Sequence, residues 1–181
     1  MIQIITMAAL VVLLMLAAIS DLRTRRIPNR LILTGLIVSL TLQILAGGVA
    51  GMVAWGLGLL VAGSLFMLLY AMRAMGAGDV KLMAMAGAFL GPASAFGALL
   101  TTLVAGGLLA FIVTLRNGTL RHTLANLRLM ALNTLFKTIQ GIAPQIDALP
   151  GSAGHLPYGI AIAVGTLAHL LLKHNGYALL S

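Results

Sequence analysis

The chain carries three side-chain carboxylates, and two of them lie at the edges of apolar segments. Asp21 follows the apolar segment 2–18, whereas Asp79 lies at the start of another apolar segment, after a short glycine-rich turn. Ionisable groups at membrane depth are costly and by default indicate function. Two carboxylates that are brought together share a proton, so one can act as a base on water while the other acts as an acid toward a carbonyl oxygen. Asp21 and Asp79 are therefore the candidate catalytic residues.

Helix-end positions predict different acidities for the two carboxylates. Asp79 is expected at a helix N-terminus, where the macrodipole favours an anion, and Asp21 at a C-terminus, where it does not. This assigns Asp79 as the ionised base and Asp21 as the protonated acid of a pair that titrates as a unit. A structural interpretation is also open, in which Asp79 only caps a helix and Asp21 pairs with Arg23 or Arg25 at the headgroups. The third carboxylate, Asp147, lies in a Pro/Gly-flanked segment that favours a solvated loop.

Other reactive groups suggest no comparable site. The absence of cysteine excludes disulfides, thiolate zinc sites and cysteine nucleophiles. The histidines are scattered along the chain, so no metal site and no cofactor are expected. Ser94 has no histidine placed near it, which disfavours a serine nucleophile. The histidines are His122, His155, His169 and His174.

The composition places the two carboxylates in a membrane protein. Hydrophobic residues make up 61% of the 181 positions and charged residues 8%, against roughly 25% charged residues in ordinary soluble domains. A helix needs about 20 mostly apolar residues to cross the hydrocarbon layer. The sequence therefore predicts an all-α, polytopic membrane protein with a single domain, residues 1–181, and about six transmembrane helices. The predicted segments are 2–18, 31–46, 51–71, 80–90, 93–115 and 156–172.

The basic residues predict the topology. Of the 11 lysines and arginines, all but Lys173 fall in segments that six spans place on one side of the membrane. The positive-inside rule makes those segments cytoplasmic, with both termini outside and both candidate aspartates at the cytoplasmic face. This placement explains the net charge of +8 without nucleic acid, and the arginines are expected to contact anionic lipids. The basic residues in question are Arg23, Arg25, Arg26, Arg30, Arg73, Lys81, Arg116, Arg121, Arg128 and Lys137.

The long cytoplasmic segment between the fifth and sixth spans, residues 116–150, predicts an interfacial amphipathic helix. Its apolar residues recur at helical spacing from Leu120 to Leu135, while Arg121 and Arg128 lie on another face. The first span has no basic residue before it, so we expect it to persist as an anchor rather than to be cleaved as a secretory signal.

Three short segments together resemble one known family. Residues 20–23 (Ser-Asp-Leu-Arg) and 26–30 (Arg-Ile-Pro-Asn-Arg) resemble the first signature of the type IV prepilin peptidases. Residues 76–82 (Gly-Ala-Gly-Asp-Val-Lys-Leu) are similar to the second signature, the Gly-x-Gly-Asp motif. Residues 156–161 (Leu-Pro-Tyr-Gly-Ile-Ala) resemble the segment that opens the last helix of that family.

The resemblance implies an activity, a partner and a location. It implies an aspartic endopeptidase with Asp21 and Asp79 as its dyad, without a metal or cofactor. Such an enzyme cleaves the basic leader of prepilins or pseudopilins at the cytoplasmic face of the bacterial inner membrane. The early position of Asp21 and the lack of cysteine resemble the short CpaA/TadV-like form, which serves Flp pili and has no methyltransferase portion. Short archaeal preflagellin peptidases share this plan, so the resemblance leaves the class of pilin open.

Five further residues are candidates for shaping the site or binding substrate. Gly76 and Gly78 either let the backbone approach a substrate or form a plain turn. Lys81 either tunes the second aspartate electrostatically or extends toward the membrane surface. Pro28 and Asn29 favour a turn and an N-cap that opens the second span.

Two other functions fit the same carboxylates. In a small proton- or cation-coupled transporter, Asp21 and Asp79 would bind the ion, and polar residues should continue toward the outer face. A non-catalytic component of a pilus or secretion complex would tolerate asparagine at both positions.

Overall fold

The structure, a computed structural model, describes residues 1–71, 75–118, 125 and 158–176. Over these residues the regular secondary structure is helical, which confirms the predicted all-α class. Three of the helices, α1, α2 and α4, are long and apolar enough to cross a membrane, whereas the count of six spans stays a prediction. The helices are α1 (Ile2–Thr24), α2 (Asn29–Ala71), α3 (Ala77–Leu90), α4 (Pro92–Arg116) and α5 (Tyr158–His174).

Helix α1 ends in a tight turn just after the first candidate aspartate. Arg25 adopts the left-handed conformation with φ of 51°, and its N–H donates to the carbonyl oxygen of Asp21. The hydroxyl of Ser20 donates to the carbonyl oxygen of Arg26 at 2.9 Å, which holds the chain close to the end of the helix. Helix α2 then begins at Asn29.

Helix α2 is bent back on itself at Gly48, where φ is 58° and ψ is −130°. Its two halves lie side by side, because the indole N–H of Trp55 donates to the hydroxyl of Ser39 at 2.9 Å. In a straight helix those two residues would be about 24 Å apart along the axis. The two halves correspond to the predicted segments 31–46 and 51–71.

Helix α3 is short and lies at the centre of the described bundle. It has 14 residues and is about 21 Å long, less than the roughly 30 Å of a bilayer core. Leu82, Met83 and Met85 are fully buried. Its Gly87 meets Gly58 of α2 so closely that a methyl group on either would clash with the carbonyl oxygen of the other. A segment covered by protein on its sides does not have to match the bilayer thickness.

Helices α4 and α5 pack antiparallel along a row of small residues. Gly97 contacts the His169 ring, and Gly165 contacts Thr102. Helix α4 starts directly after α3, with Pro92 in its first turn, as the sequence predicted for the end of the fourth segment. The predicted amphipathic helix and the loop around Asp147 lie outside the described residues.

Candidate active site

Asp21 lies in the last turn of α1, where its side chain is 7% exposed. Its Oδ2 accepts a hydrogen bond of 2.8 Å from the backbone N–H of Gly159 in the first turn of α5. A Cβ on Gly159 would lie 2.8 Å from that oxygen and 3.1 Å from the Asp21 Cβ, so a side chain there would crowd the carboxylate. The first four N–H groups of a helix have no acceptor within the helix, and Asp21 supplies an acceptor for one of those of α5.

Asp79 lies in the first turn of α3 and is half-buried. Its Oδ2 accepts a hydrogen bond of 3.2 Å from the N–H of Gly76, so the carboxylate caps the helix that carries it. Asp79 therefore caps its helix, as the structural interpretation of the sequence proposed. A carboxylate that caps a helix can also act in catalysis. The glycine-rich turn positions the carboxylate at the helix N-terminus.

Contacts join the first two signature segments. The Lys81 ammonium donates to the side-chain oxygen of Asn29 at 3.0 Å. A Cβ on Gly78 would lie 3.6 Å from the side chain of Ile27. The carbonyl oxygen of Pro28 accepts from the N–H of the third residue after it at 3.1 Å, as expected for a turn that opens α2. The turn between α1 and α2 thus packs against the start of α3, which brings the predicted site-shaping residues into one region.

Tyr158 connects the start of α5 with the second aspartate. Its phenol interacts electrostatically with Asp79, and its hydroxyl lies against Gly106 of α4. Its ring packs edge-on against Phe66, with 6.1 Å between ring centroids and 63° between planes. Since Gly159 is hydrogen-bonded to Asp21, the start of α5 interacts with both candidate aspartates.

The helix ends that the two carboxylates contact differ from those expected from the sequence, and the assignment of acid and base stays a prediction. Asp21 does lie at the C-terminal end of α1, but its carboxylate is hydrogen-bonded to the N-terminal end of α5. Both carboxylates therefore lie at positive helix ends. Pairing of Asp21 with Arg23 or Arg25 is also not the arrangement found, because both arginines are exposed while the carboxylate is buried against Gly159.

Sequence reasoning assigned no role to Ser20, Tyr158 or Gly159, although all three belong to the segments that carry the family resemblance. The Pro-Tyr-Gly sequence was the available signal, but its partner lies 138 positions away. Among the described residues, no group of three or more His, Cys, Asp or Glu side chains could hold a metal ion. Asp147 lies outside the described part of the chain.

Comparison with known protein families identifies the class. The bundle is helical and apolar, and it brings together three signature segments around two carboxylates. Residues 8–112 match the model of the type IV leader peptidase family, peptidase A24. The match covers more than half of the 181 residues, so the chain belongs to this family. No curated protein matches the chain, and no solved structure does.

Family membership supports the expected peptidase activity and confirms the family resemblance found in the sequence. The matched range includes Asp21 and Asp79 and ends within α4. The start of α5 lies beyond it, and its association with the site comes from the contacts of Tyr158 and Gly159.

Proposed function

We propose that this protein is an aspartic leader peptidase in which Asp21 and Asp79 form the catalytic dyad. The observation that carries the proposal is the hydrogen bond from Gly159 to Asp21, which joins the start of α5 to the first aspartate. Lys81, two residues after Asp79, contacts Asn29 in the turn that follows Asp21. These contacts connect the segments that carry two carboxylates 58 positions apart in the sequence. Family membership as a leader peptidase supports the same chemistry.

In the proposed reaction the two aspartates share one proton. The ionised carboxylate takes a proton from water as the oxygen attacks the scissile carbonyl carbon, and the protonated carboxylate donates its proton to the carbonyl oxygen. The tetrahedral intermediate then collapses and the C–N bond breaks. The carboxylate that took the proton returns it to the leaving amine, while the other carboxylate takes a proton back from a hydroxyl of the intermediate as the C=O bond re-forms, which restores the shared proton. Both carboxylates accept a backbone N–H at a helix N-terminus, and we assign the proton to the pair rather than to one residue.

We propose that the substrate is a prepilin or pseudopilin, with a basic leader followed by an apolar helix, and that Flp-like pilins are the first to test. The enzyme would lie in the bacterial inner membrane, with both termini outside and the dyad at the cytoplasmic face. The charge distribution supports this orientation, because Arg23, Arg25, Arg26 and Arg30 surround the turn next to Asp21. These arginines would contact anionic lipids.

A proton- or cation-coupled transporter is the second candidate, and one observation favours it. Thr102, Thr166 and His169 are buried between α4 and α5, and their side-chain polar atoms have no hydrogen-bond partner within the described residues. Beyond them Lys173 donates to the hydroxyl of Ser94 at 2.6 Å. These polar groups continue away from the two aspartates, as an ion path would require.

Prepilin processing separates these functions. A candidate prepilin is co-expressed with the wild type and with Asp21→Asn, Asp79→Asn and Asp147→Asn, and cleavage is followed by the shift in mobility. We expect the first two variants to lose about 10²–10⁴-fold in rate, because each removes a proton-transfer group. Asp147→Asn is the control and should cleave as the wild type does.

All four proteins must be present in the membrane at equal levels. Continued processing by Asp21→Asn or Asp79→Asn would remove that residue from catalysis. Wild-type protein that cleaves no prepilin, but moves protons into vesicles in a manner that depends on both aspartates, would favour the transporter.

A further inference from the structure

An apolar groove opens between α4 and α5, with a volume of about 450 Å³. Val104, Leu108 and Ile112 of α4 line one wall, and Ile160 and Val164 of α5 line the other. Four of these five side chains, all except Ile160, are between 51% and 63% exposed. The groove is therefore open sideways, in the direction from which another helix in the membrane can approach.

The groove begins beside the candidate active site. Ile160 directly follows Gly159, whose N–H binds the carboxylate of Asp21. The lining residues of α5 continue from Ile160 to Leu172, a distance of about 18 Å along the helix axis. The groove therefore starts one residue after the glycine that binds Asp21, and it extends along α5 away from that contact.

We propose that this groove holds the apolar helix of the substrate during cleavage, an inference that rests on the proposed function. A peptidase that cuts between a basic leader and an apolar helix must align that helix so that its N-terminal end reaches the carboxylates. The groove has apolar walls, an opening to the side and an end at Ile160, the residue after the glycine that binds Asp21. The basic leader then extends past Asp21 and Asp79. Within the described residues these two are the acidic side chains that could attract it.

A second apolar groove, of about 660 Å³, lies between α1 and α2 and lacks these properties. Its lining on α1 runs from Ile5 to Leu16 and so stops about 8 Å along the helix before Asp21. Arg30 forms part of its wall, and its charge would repel a basic leader. We therefore assign the substrate helix to the groove between α4 and α5.

Cross-linking tests the location directly, because the chain has no cysteine of its own. Val164→Cys is combined with Asp79→Asn, so that a bound substrate stays uncleaved. The probe is a designed prepilin with a basic leader, a glycine and an apolar helix that carries one cysteine. We expect a cross-link from Val164→Cys and little from Val12→Cys in the second groove or Val53→Cys on α2, which are 57% and 52% exposed.

Cleavage by single-site variants that keep both aspartates gives an independent measurement. Val164 and Val53 have the same exposed fraction, 52%, so Val164→Trp and Val53→Trp are matched. We expect Val164→Trp to slow cleavage of the designed prepilin at least about tenfold, while Val53→Trp stays within about twofold of the wild type.

Two results would overturn the inference: cross-linking from Val12→Cys or Val53→Cys as strong as from Val164→Cys, or wild-type processing by Val164→Trp. Either would leave the proposed function standing as long as the unmodified enzyme cleaves the probe. Failure of the proposed function shows separately, as absence of cleavage by the wild type.

Discussion

At the scale of single residues, the hydrogen bond from Gly159 to Asp21 joins positions that are 138 apart in the sequence. Its length of 2.8 Å is typical of a bond to a charged acceptor. It fixes the orientation of the carboxylate against the start of α5. Glycine is required for close approach, because an added Cβ would lie 2.8 Å from the accepting oxygen.

We expect Gly159→Ala to lower prepilin cleavage by about 10–100-fold, since a hydrogen bond to a charged group contributes about 1.5–3 kcal/mol. The added methyl group pushes the start of α5 away from Asp21. The measurement is the initial rate of processing in membranes with equal enzyme content. Gly56→Ala is the control, because a Cβ there meets no atom within 4 Å. A wild-type rate in Gly159→Ala would show that this hydrogen bond does not support catalysis.

At the scale of elements, the crossing of α2 and α3 decides where the second aspartate lies. Gly58 and Gly87 let the two backbones approach to van der Waals contact, as small residues do in helix pairs within membranes. Gln43 also donates to the carbonyl oxygen of Phe89 at 3.0 Å, near the end of α3. These contacts hold α3 in the centre of the described bundle and Asp79 at its N-terminal end.

We expect Gly87→Ala to destabilise the folded protein by about 1–3 kcal/mol, because the methyl group would overlap Gly58 and Ala62 in a packed contact. The measurement is thermal unfolding of the purified protein in detergent. Gly107→Ala, which meets no atom within 4 Å, should leave the midpoint unchanged. If Gly87→Ala and Gly107→Ala had equal unfolding midpoints, the contact between α2 and α3 would not stabilise the bundle as proposed.

At the scale of the whole molecule, the helices arrange their ends in two layers. The ends of α1 and α4 and the starts of α3 and α5 lie in the layer of the two aspartates. The contacts of Gly78 with Ile27, Gly106 with Tyr158 and Gly159 with Asp21 show this arrangement. The bend of α2 and the junction of α3 with α4 lie in the other layer. Of the lysines and arginines that the structure describes, all except Lys173 lie in the first layer, which supports the proposed orientation in the membrane.

Single-cysteine labelling tests this orientation, since the chain has no cysteine. We expect Arg25→Cys and Asn117→Cys to react only with reagents supplied from the cytoplasm, and Gly47→Cys and Asn175→Cys only from outside. All four positions are exposed. The measurement is labelling of intact cells with a membrane-impermeant maleimide, before and after lysis. Labelling of Arg25→Cys and Gly47→Cys from the same side would rule out the proposed topology.

The sequence by itself determined where the apolar helices lie and that the two candidate aspartates stand at helix ends. The predicted segments 93–115 and 156–172 lie within about two residues of α4 and α5, because long apolar segments and a proline boundary act locally. The positions of Asp21 and Asp79 at the ends of such segments followed from the same local pattern. The signature motifs were enough to indicate the family.

Only the tertiary structure decided which helix faces meet. These helices are apolar on nearly every side, so no hydrophobic stripe marks the packed face. The return of α2 at Gly48, the central burial of α3 and the contact of Gly159 with Asp21 all depend on close approach of small residues. Such contacts join distant parts of the chain, and their free energy arises only when the whole bundle packs. The geometry of the candidate site is therefore a property of the packed bundle.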